Sequence, residues 1–333
     1  MRYHTKTSLQ LWNVKRPQKR KAIESPPKLF PIGKIPVVDA HMHIRPNHVP
    51  QGTVEAGVRK YLRTMDKSGI TLSINLAGTR ESVADADKLH RISKGRILQA
   101  PGTYLHGKVR KLWWTVKELD TFIHPNIAGI KILNKYNPEL FAKKSLLNSL
   151  KRQSELGLSL IGLHVVDPPF KGYWQPHYWD CIVAAEKLIR NYPDLTFTMA
   201  HGFWLMNTDE GLDVLGTYFD AYPNLNVDLC AVFQWWNNPY VTYDKLRAFI
   251  IKHKGRLLYG TDGNPAYTKP IRFKNTFELL ETDKPSRRGF FMAPDAHSQI
   301  TGLKLPKEVL NYIYWWNAAR LLPEVRQSLQ ALG

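Results

Sequence analysis

The chain has 333 residues, 43% of them hydrophobic, and carries a formal net charge of +19. This composition suits a folded protein with a sizeable core and excludes a globally disordered chain. The chain contains two cysteines, Cys181 and Cys230, which are too few for a disulfide framework, so a reducing cytoplasm is the expected location. No apolar run approaches the ~20 residues that span a bilayer, and the N-terminus lacks the apolar core of a signal peptide.

Residues 1–34 are basic and rich in proline, which predicts an extended N-terminal arm. The acidic residue Glu24 is opposed by a set of basic residues, namely Arg2, Lys6, Lys15, Arg16, Lys19, Arg20, Lys21, Lys28 and Lys34. Such an arm is most often a solvated tail, but it can also wrap its own domain, a partner subunit or a polyanion. Charge alone does not make this a nucleic-acid protein.

Beyond the arm, short apolar runs alternate with amphipathic stretches. The runs predict strands that begin at Ile35 and then span Ile70 to Leu76, Ile97 to Tyr104, Ile127 to Leu133, Leu158 to Val166, Leu195 to His201, Leu225 to Ala231 and Arg256 to Asp262. The amphipathic stretches predict helices over Val54 to Lys67, Ala84 to Ile92, Val116 to Ile123, Phe141 to Leu156, Tyr178 to Asn191, Leu212 to Ala221, Tyr243 to Lys254 and Pro306 to Leu322. About eight strands alternating with helices are typical of a closed (β/α)₈ TIM barrel, predicted over residues 35–333. The competing open sheet is disfavoured because no G-x-G-x-x-G follows a strand.

The first strand ends in V-V-D-A-H-M-H-I, which places polar residues at alternate positions. Side chains alternate between the two faces of a strand, so Asp39, His41 and His43 are predicted to share one side while Met42 faces the other. Two imidazoles one pleat apart can hold a single metal ion. The simpler interpretation is a pair of hydrogen-bonded histidines at the end of a strand.

Other polar residues also fall at or near the carboxyl ends of predicted strands. Lys131 lies in the fourth strand, His164 ends the fifth, His201 ends the sixth and Asp262 ends the eighth. Each has a structural alternative, because a histidine in a strand is usually a satisfied core residue and a terminal aspartate often caps a helix. Barrel enzymes place their chemistry at the carboxyl ends of the strands, so the coincidence indicates one shared site.

The motifs together resemble the amidohydrolase superfamily, in particular the branch that contains aminocarboxymuconate-semialdehyde decarboxylase and related hydrolases. The motifs are D-A-H-M-H from Asp39, L-H-V-V-D-P from Leu163, A-H-G from Ala200, Y-P-N-L-N-V-D-L from Tyr222, G-T-D-G-N-P from Gly260 and the closing segment Gly302 to Leu322. The resemblance covers nearly everything from Pro36 onward and leaves out the arm.

The resemblance implies a divalent metal ion held by His41, His43, His164 and Asp262. Zn²⁺ is the first expectation for imidazoles and one carboxylate, with Mn²⁺ or Fe²⁺ as alternatives. Such an ion lowers the pKa of a bound water toward ~7, so metal-dependent hydrolysis of an amide, ester or lactone is the expected reaction. Asp262 is then expected to take the proton of the water, and His201 to polarise or protonate the substrate oxygen.

Lys131 has two interpretations. In dinuclear relatives a lysine of this strand is carbamylated and bridges two metals, whereas in the present branch one ion is usual and the lysine can contact a substrate anion or Asp262. One metal ion is favoured because the remaining motifs are those of the mononuclear branch. TatD-like nucleases place a glutamate at this strand, so Lys131 counts against a nuclease.

Several tryptophans follow strands and suggest flat walls around a ring-containing substrate. They include Trp174 and Trp204. For any single tryptophan, packing in the core or a subunit contact is the more common role. Trp315 and Trp316 lie in the last predicted helix and are expected to pack in the core. Arg45, Arg80 and His106 also follow strands and could hold a carboxylate, with exposed helix-cap roles as the alternative. The segment from Gly263 to Leu303 has the length of a lid, and within it Asp295 and His297 are pocket candidates.

Three functions remain open from the sequence. The first is the hydrolase, and the second is a non-oxidative decarboxylase of an aromatic or enolic acid, in which Arg45, Arg80 or Lys131 would face the carboxylate. The third is a basic nucleic-acid-binding or nuclease protein that acts through the N-terminal arm. A catalytically dead barrel used only for binding is disfavoured because every expected metal ligand is present. The expected partner is a small-molecule substrate rather than a membrane, and a homodimer is one candidate assembly.

Overall fold

The structure of the chain is a computed structural model that describes residues 24–26, 35–44, 53–76, 83–102, 113–133, 138–164, 178–236, 240–265, 268–286 and 300–332. Of the predicted arm, only residues 24–26 belong to this part. Within these ranges, no helix combines the length and apolarity that crossing a membrane requires.

Eight parallel strands form the centre of the molecule. They are β1 (Val38–Met42), β2 (Leu72–Leu76), β3 (Ile97–Ala100), β4 (Ile130–Leu133), β5 (Leu160–His164), β6 (Phe197–Met199), β7 (Leu225–Asp228) and β8 (Leu257–Leu258). Strands β1 to β3 pair in sequence order, as do β4 to β8. Each strand therefore lies beside its neighbour in the chain, as the alternating pattern predicts.

Backbone hydrogen bonds between the two sets of strands close the sheet into a barrel. On one side the amide of Ala128 donates to the carbonyl of Gln99 at 2.8 Å, which links β3 to the segment before β4. On the other side the amide of His43 donates to the carbonyl of Gly263 at 2.7 Å, and Met42 bridges to Gly263 in parallel. The first and last strands are thus neighbours, and the predicted (β/α)₈ barrel is confirmed.

Helices follow the strands around the barrel. They are α1 (Val54–Ser68), α2 (Val83–Ile92), α3 (Val116–Leu119), α4 (Lys144–Leu156), α5 (Tyr178–Asn191), α6 (Asp209–Ala221), α7 (Tyr243–Lys252), α8 (Pro270–Glu281), α9 (Lys307–Asn311), α10 (Asn317–Leu321) and α11 (Pro323–Leu332). Shorter 3₁₀ segments span Asp120–Phe122, Pro138–Ala142, Ala200–Asn207, Val232–Trp235 and Lys254–Arg256, and a π-helical turn spans Tyr312–Trp316. Two short strands, β9 (Pro285–Ser286) and β10 (Ile300–Thr301), pair antiparallel.

Helix α1 shows how the local sequence sets these elements. The hydroxyl of Thr53 accepts the amide of Ala56 at 3.2 Å and caps the first turn. Val58, Tyr61 and Met65, at helical spacing, are fully buried against the barrel. Gly69 ends the helix with φ 75°, a left-handed conformation that glycine adopts without a steric penalty.

Several predicted boundaries were wrong. The sixth strand ends at Met199 rather than at His201, and the eighth spans only Leu257–Leu258. The segment proposed as a lid contains helix α8, whose Phe273, Leu279 and Leu280 are buried, so this part of it is barrel wall. The sequence predicted one closing helix, but the structure has three consecutive elements there: α9, the π-helical turn and α10. Helix α11, which follows them, was not predicted.

Trp315 and Trp316 are each 5% exposed and pack against the barrel, as expected. Their apolar cluster includes Val38, Leu72 and Leu98, which lie near the starts of three strands. The indole N–H of Trp316 donates to the carbonyl of Glu24 at 2.7 Å. The end of the chain therefore contacts the described part of the basic arm.

Candidate metal centre

The carboxyl end of β1 positions two histidines. Met42 is fully buried in the main core, so the flanking residues His41 and His43 turn the other way, as strand alternation requires. His41 is fully buried and His43 is 8% exposed. Their Nε2 atoms lie 3.3 Å apart. The predicted pair is therefore formed, with both Nε2 atoms at one point.

Hydrogen bonds on the opposite ring nitrogens set the tautomer of each histidine. His41 donates from Nδ1 to Oδ2 of Asp228 at 2.8 Å, and His43 donates from Nδ1 to the carbonyl of Leu76 at 2.7 Å. Because these oxygens accept, the protons lie on Nδ1 and the lone pairs on Nε2. Burial lowers the pKa of His41, as does the charge of Lys131, while Asp228 opposes the shift. Neutral imidazoles therefore direct two lone pairs at each other.

Asp262 completes this group from the segment after β8. Its Oδ1 lies 3.0 Å from Nε2 of His43 and 3.8 Å from Nε2 of His41. The residue has φ 55°, and its amide donates to the carbonyl of His41 at 2.8 Å. Burial alone would raise the pKa of Asp262, but its contact with Nε2 of His43 and the positive charge that His201, His43 and His41 carry when protonated outweigh burial and lower this pKa well below its usual range. The carboxylate is therefore ionised.

The three side chains fit a divalent cation. Zinc–nitrogen and zinc–oxygen bonds of about 2.0–2.2 Å in tetrahedral geometry separate ligand atoms by about 3.3–3.5 Å. The observed separations of 3.3, 3.0 and 3.8 Å bracket this value. Lone pairs on two imidazoles beside a carboxylate repel one another unless a positive charge lies between them, and the anchored Nδ1 atoms are the usual support for metal-binding histidines. His41, His43 and Asp262 are thus a suitable donor set.

His164 lies beside this group at the end of β5. Its ring centroid is 4.8 Å from that of His201, and the two rings meet edge to face. The group of mutually close donor atoms contains His41, His43 and Asp262 but not His164. The ligand role of His164 therefore stays a prediction, and the structure places the residue at the site.

His201 is held beside the group by an unusual backbone. Residues His201 to Trp204 have φ between 51° and 64°, a left-handed run where the sequence predicted the end of a strand. The amide of His201 donates to Oδ1 of Asp228 at 2.8 Å, and its Nδ1 donates to the carbonyl of Cys230 at 3.0 Å. Trp204, 3% exposed, stacks on the imidazole with centroids 4.8 Å apart. The ring orientation of His201 is therefore fixed, and its Nε2 carries the lone pair.

Asp228 is the residue that the sequence interpretation missed. It ends β7, so the rule that selected the other strand ends could have found it. Burial raises the pKa of Asp228, but the positive charge that His41 carries when protonated and the hydrogen bond that its Nδ1 donates outweigh burial and leave the pKa below the usual value. One carboxylate thus holds His41 through Oδ2 and His201 through Oδ1.

Asp39 also lies beside the centre, but it has a different role. Its Oδ1 accepts the amides of His41 at 3.2 Å and Thr261 at 3.0 Å, and its Oδ2 accepts the hydroxyls of Tyr61 at 2.8 Å and Thr261 at 2.6 Å. Burial raises its pKa to about 6 against the effect of these hydrogen bonds. Asp39 therefore ties β1 to the segment that carries Asp262, whose own carboxylate faces the histidines.

Among the residues predicted to bind substrate, Lys131 is the charged one that lies in the described part of the chain. It is 4% exposed, and its charge acts on His41 and Cys230. Its register partner on β5 is Gly162, where a Cβ would lie 2.9 Å from Cγ of Lys131, so the glycine makes room for the lysine. Arg45, Arg80 and Trp174 lie outside the described residues, as do His106, Asp295 and His297.

Comparison with known proteins identifies the family. A family model described as amidohydrolase matches residues 38–323, and the chain therefore belongs to the amidohydrolases, a family of metal-dependent enzymes. The match spans all eight strands and every described residue of the candidate centre. No curated protein matches the sequence.

Solved structures share the fold at low sequence identity. An uncharacterized TIM-barrel protein from Bordetella bronchiseptica is 14% identical, with 87% of this chain and 99% of that chain covered and a TM-score of 0.55. An amidohydrolase from Burkholderia multivorans with bound zinc is 11% identical, with 86% and 98% covered and a TM-score of 0.51. The 5-carboxyvanillate decarboxylase of Novosphingobium aromaticivorans, in complex with manganese, is 12% identical, with 86% and 94% covered and a TM-score of 0.51.

Proposed function

We propose that this chain is a metal-dependent hydrolase that cleaves an amide, ester or lactone of a small ring-containing substrate. One observation carries the proposal: His41, His43 and Asp262 direct two lone pairs and a carboxylate at one point, and hydrogen bonds on both Nδ1 atoms hold the imidazoles in place. His164, at the same end of the barrel, is proposed as a further ligand.

Zn²⁺ is the proposed ion because two or three imidazoles with one carboxylate are typical of catalytic zinc sites. Mn²⁺ and Fe²⁺ accept the same donors. The Burkholderia amidohydrolase contains zinc and the Novosphingobium decarboxylase contains manganese, which supports either choice. When bound, a divalent ion acts as a Lewis acid and lowers the pKa of water toward ~7.

Two side chains are proposed to move protons. Asp262 is ionised and partly exposed, with its side chain 21% accessible, so it can take a proton from the attacking water. His201 uses Nδ1 to donate to the carbonyl of Cys230, so Nε2 is the nitrogen that can exchange a proton with a substrate. Trp204 stacks on His201 and is proposed to place a flat apolar side chain beside a ring in the substrate.

A second candidate is non-oxidative decarboxylation of an aromatic or enolic acid. The observation that favours it is Lys131, a cation buried close enough to His41 for its charge to affect the pKa of the imidazole. A carboxylate that enters the centre would gain from this positive charge in a low-dielectric environment. The Novosphingobium relative catalyses a decarboxylation, as its name states.

A reconstitution experiment tests both candidates. The full chain is stripped with a chelator, reloaded separately with Zn²⁺, Mn²⁺ or Fe²⁺, and assayed with cyclic amides, esters and lactones and with hydroxybenzoic acids, while carbon dioxide is followed. We expect one ion per chain and hydrolysis that disappears with the ion. Two ions together with a carbamate mass on Lys131 contradict the mononuclear assignment, and full activity in chelator contradicts the metal mechanism.

A matched pair of variants distinguishes an effect at the candidate centre from the general effect of replacing an aspartate by asparagine. Asp262→Asn removes a proposed ligand and base, whereas Asp283→Asn changes an exposed aspartate that pairs with Lys304 at 2.6 Å. Only the first is expected to change turnover. If the substrate panel gives carbon dioxide but no hydrolysis, the decarboxylase replaces the hydrolase as the proposed function.

A further inference from the structure

Cys230 lies directly behind the proposed metal centre, between two of its histidines. Its Sγ is 3.0 Å from Nδ1 of His41 and 2.9 Å from Nδ1 of His201. All three residues are buried, and one donor atom from each lies within 4.8 Å of the others. Oδ2 of Asp228 is 2.8 Å from the same nitrogen of His41. Two imidazole nitrogens and a thiol therefore surround one buried point, and the carboxylate of Asp228 lies beside one of these nitrogens.

His41 is shared between this point and the front group of His43 and Asp262. In the ring position observed, Nε2 faces the front group and Nδ1 faces Cys230. A neutral imidazole has one lone pair, so His41 can supply a metal ion on only one side at a time. When the lone pair is on Nδ1, the Nε2–H faces Nε2 of His43 at 3.3 Å and occupies the position of the front ion.

We propose that His41, His201 and Cys230 form an alternative metal site, which takes a thiophilic divalent ion and excludes the ion of the front group. Thiolate sulfur selects soft and borderline cations such as Cd²⁺, Co²⁺ and Zn²⁺ over Mn²⁺, which prefers oxygen donors. Asp228 is the adjacent carboxylate and offers a fourth ligand. An ion at this site holds His41 in the tautomer that the front group cannot use.

The proton and charge balance of the step is simple. The thiol of Cys230 loses its proton to solvent, and the protons of His41 and His201 move from Nδ1 to Nε2. The two positive charges of the ion are then balanced by the thiolate and by Asp228, so the buried cluster is neutral. Zinc–sulfur and zinc–nitrogen bonds require a nitrogen–sulfur separation of about 3.6 Å, so each imidazole must move by about 0.6 Å.

Cobalt spectroscopy on the full chain tests the proposal. The protein is stripped with a chelator and titrated with Co²⁺ alone, because thiolate-to-cobalt charge transfer absorbs in the near ultraviolet whereas nitrogen and oxygen ligands give only weak visible bands. The chain has two cysteines, so Cys181→Ser leaves Cys230 as its sole thiol. We expect the charge-transfer band in the wild type and in Cys181→Ser, and its loss in Cys230→Ser with the visible bands retained.

A competition experiment tests the exclusion without any variant. Mn²⁺ added before Co²⁺ should fill the front group and suppress the charge-transfer band, and its removal should restore the band. The proposal is overturned if the wild type shows no thiolate band, if Cys181→Ser loses it, or if the band is unchanged by saturating Mn²⁺. The spectra of the wild type and of Cys181→Ser are sufficient to identify Cys230 as the thiol that binds cobalt. The result therefore does not depend on whether Cys230→Ser folds.

Discussion

Two regions hold the candidate centre in contrasting ways. In the first, the seam, β1 pairs with the segment after β8, and Asp39, His41, Thr261 and Asp262 are joined by strand-type backbone bonds and by one buried carboxylate. In the second, the left-handed segment His201–Trp204, four consecutive residues have positive φ. The seam continues the pairing of the strands and has one left-handed residue, Asp262, whereas in the left-handed segment four consecutive residues depart from regular structure.

The difference lies in what keeps each region in place. A left-handed conformation costs roughly 1–2 kcal/mol for each non-glycine residue, and three of the four residues in the segment are not glycine. Hydrogen bonds from His201 to Asp228 and to the carbonyl of Cys230 must offset that cost. Changes in the seam should therefore affect metal binding first, while changes around the segment should affect the reaction first.

The largest expected effect is that of Asp262→Asn. The variant keeps the shape of the side chain but loses its charge and its capacity as a base, so turnover should fall by more than about 10⁴, beyond the usual contribution of one general base. Metal content measured by elemental analysis should fall with it. If the variant keeps both its metal and its turnover, Asp262 has neither proposed role.

His201→Asn comes next and tests the other region. The residue is proposed to act on the substrate, so kcat should fall by about 10²–10⁴ while one ion per chain is retained. Metal content and circular dichroism are measured beside the kinetics. If the variant instead contains no metal ion, His201 is a ligand. The proposed division, in which the seam binds the metal and the left-handed segment serves the reaction, would then be incorrect.

Asp228→Asn connects the two regions. Its carboxylate supports a proposed ligand and the backbone of His201, so metal affinity should fall about 10–100-fold, as for other outer partners of metal-binding histidines. The side-chain amide keeps one acceptor oxygen for two donors, so the hydrogen bond of the left-handed segment is weakened and turnover at saturating metal should also fall. Competition with a calibrated chelator gives the affinity, and Asp283→Asn is the control. Unchanged affinity with reduced turnover would confine Asp228 to the left-handed segment.

Asp39→Asn should have the smallest effect and depend on pH. Burial raises the pKa of Asp39 to about 6, so its contribution to stability is greatest below its ordinary pKa of about 3.9 and is lost as pH rises through about 6. The side-chain amide of the introduced asparagine does not titrate, so it cannot reproduce this dependence on pH. Its N–H₂ group would also face the donors that now bind the carboxylate of Asp39. We expect a loss of about 1–3 kcal/mol in unfolding free energy near pH 7 and a larger loss near pH 5.

Urea unfolding of the metal-free wild type and variant at about these two pH values measures the difference. A loss of equal size at both would show that the proton on Asp39 does not contribute. Asp283→Asn, at an exposed site, serves as the reference for a change of aspartate to asparagine.

The sequence was sufficient for the barrel and for the proximity of His41, His43 and Asp262, because these depend on local alternation and on position after the strands. The sequence places Asp228 at the end of a strand, but it does not show the contact with His41, 187 positions away, that defines its role. It also misplaced the left-handed segment, since A-H-G-F-W contains residues that suit a strand. Hydrogen bonds from distant residues override that local preference, and no local pattern records them.

The closure of the barrel between its first and last strands has a consequence for biosynthesis. Asp39 and its partner Thr261 are 222 positions apart, so the seam cannot form until nearly the whole barrel has been translated. At about 5–20 residues per second, His41 and His43 wait on the order of 10–40 s for Asp262 to follow. The nascent chain carries two histidines without their carboxylate during this interval. The proposed set of metal ligands is therefore complete only in the finished barrel.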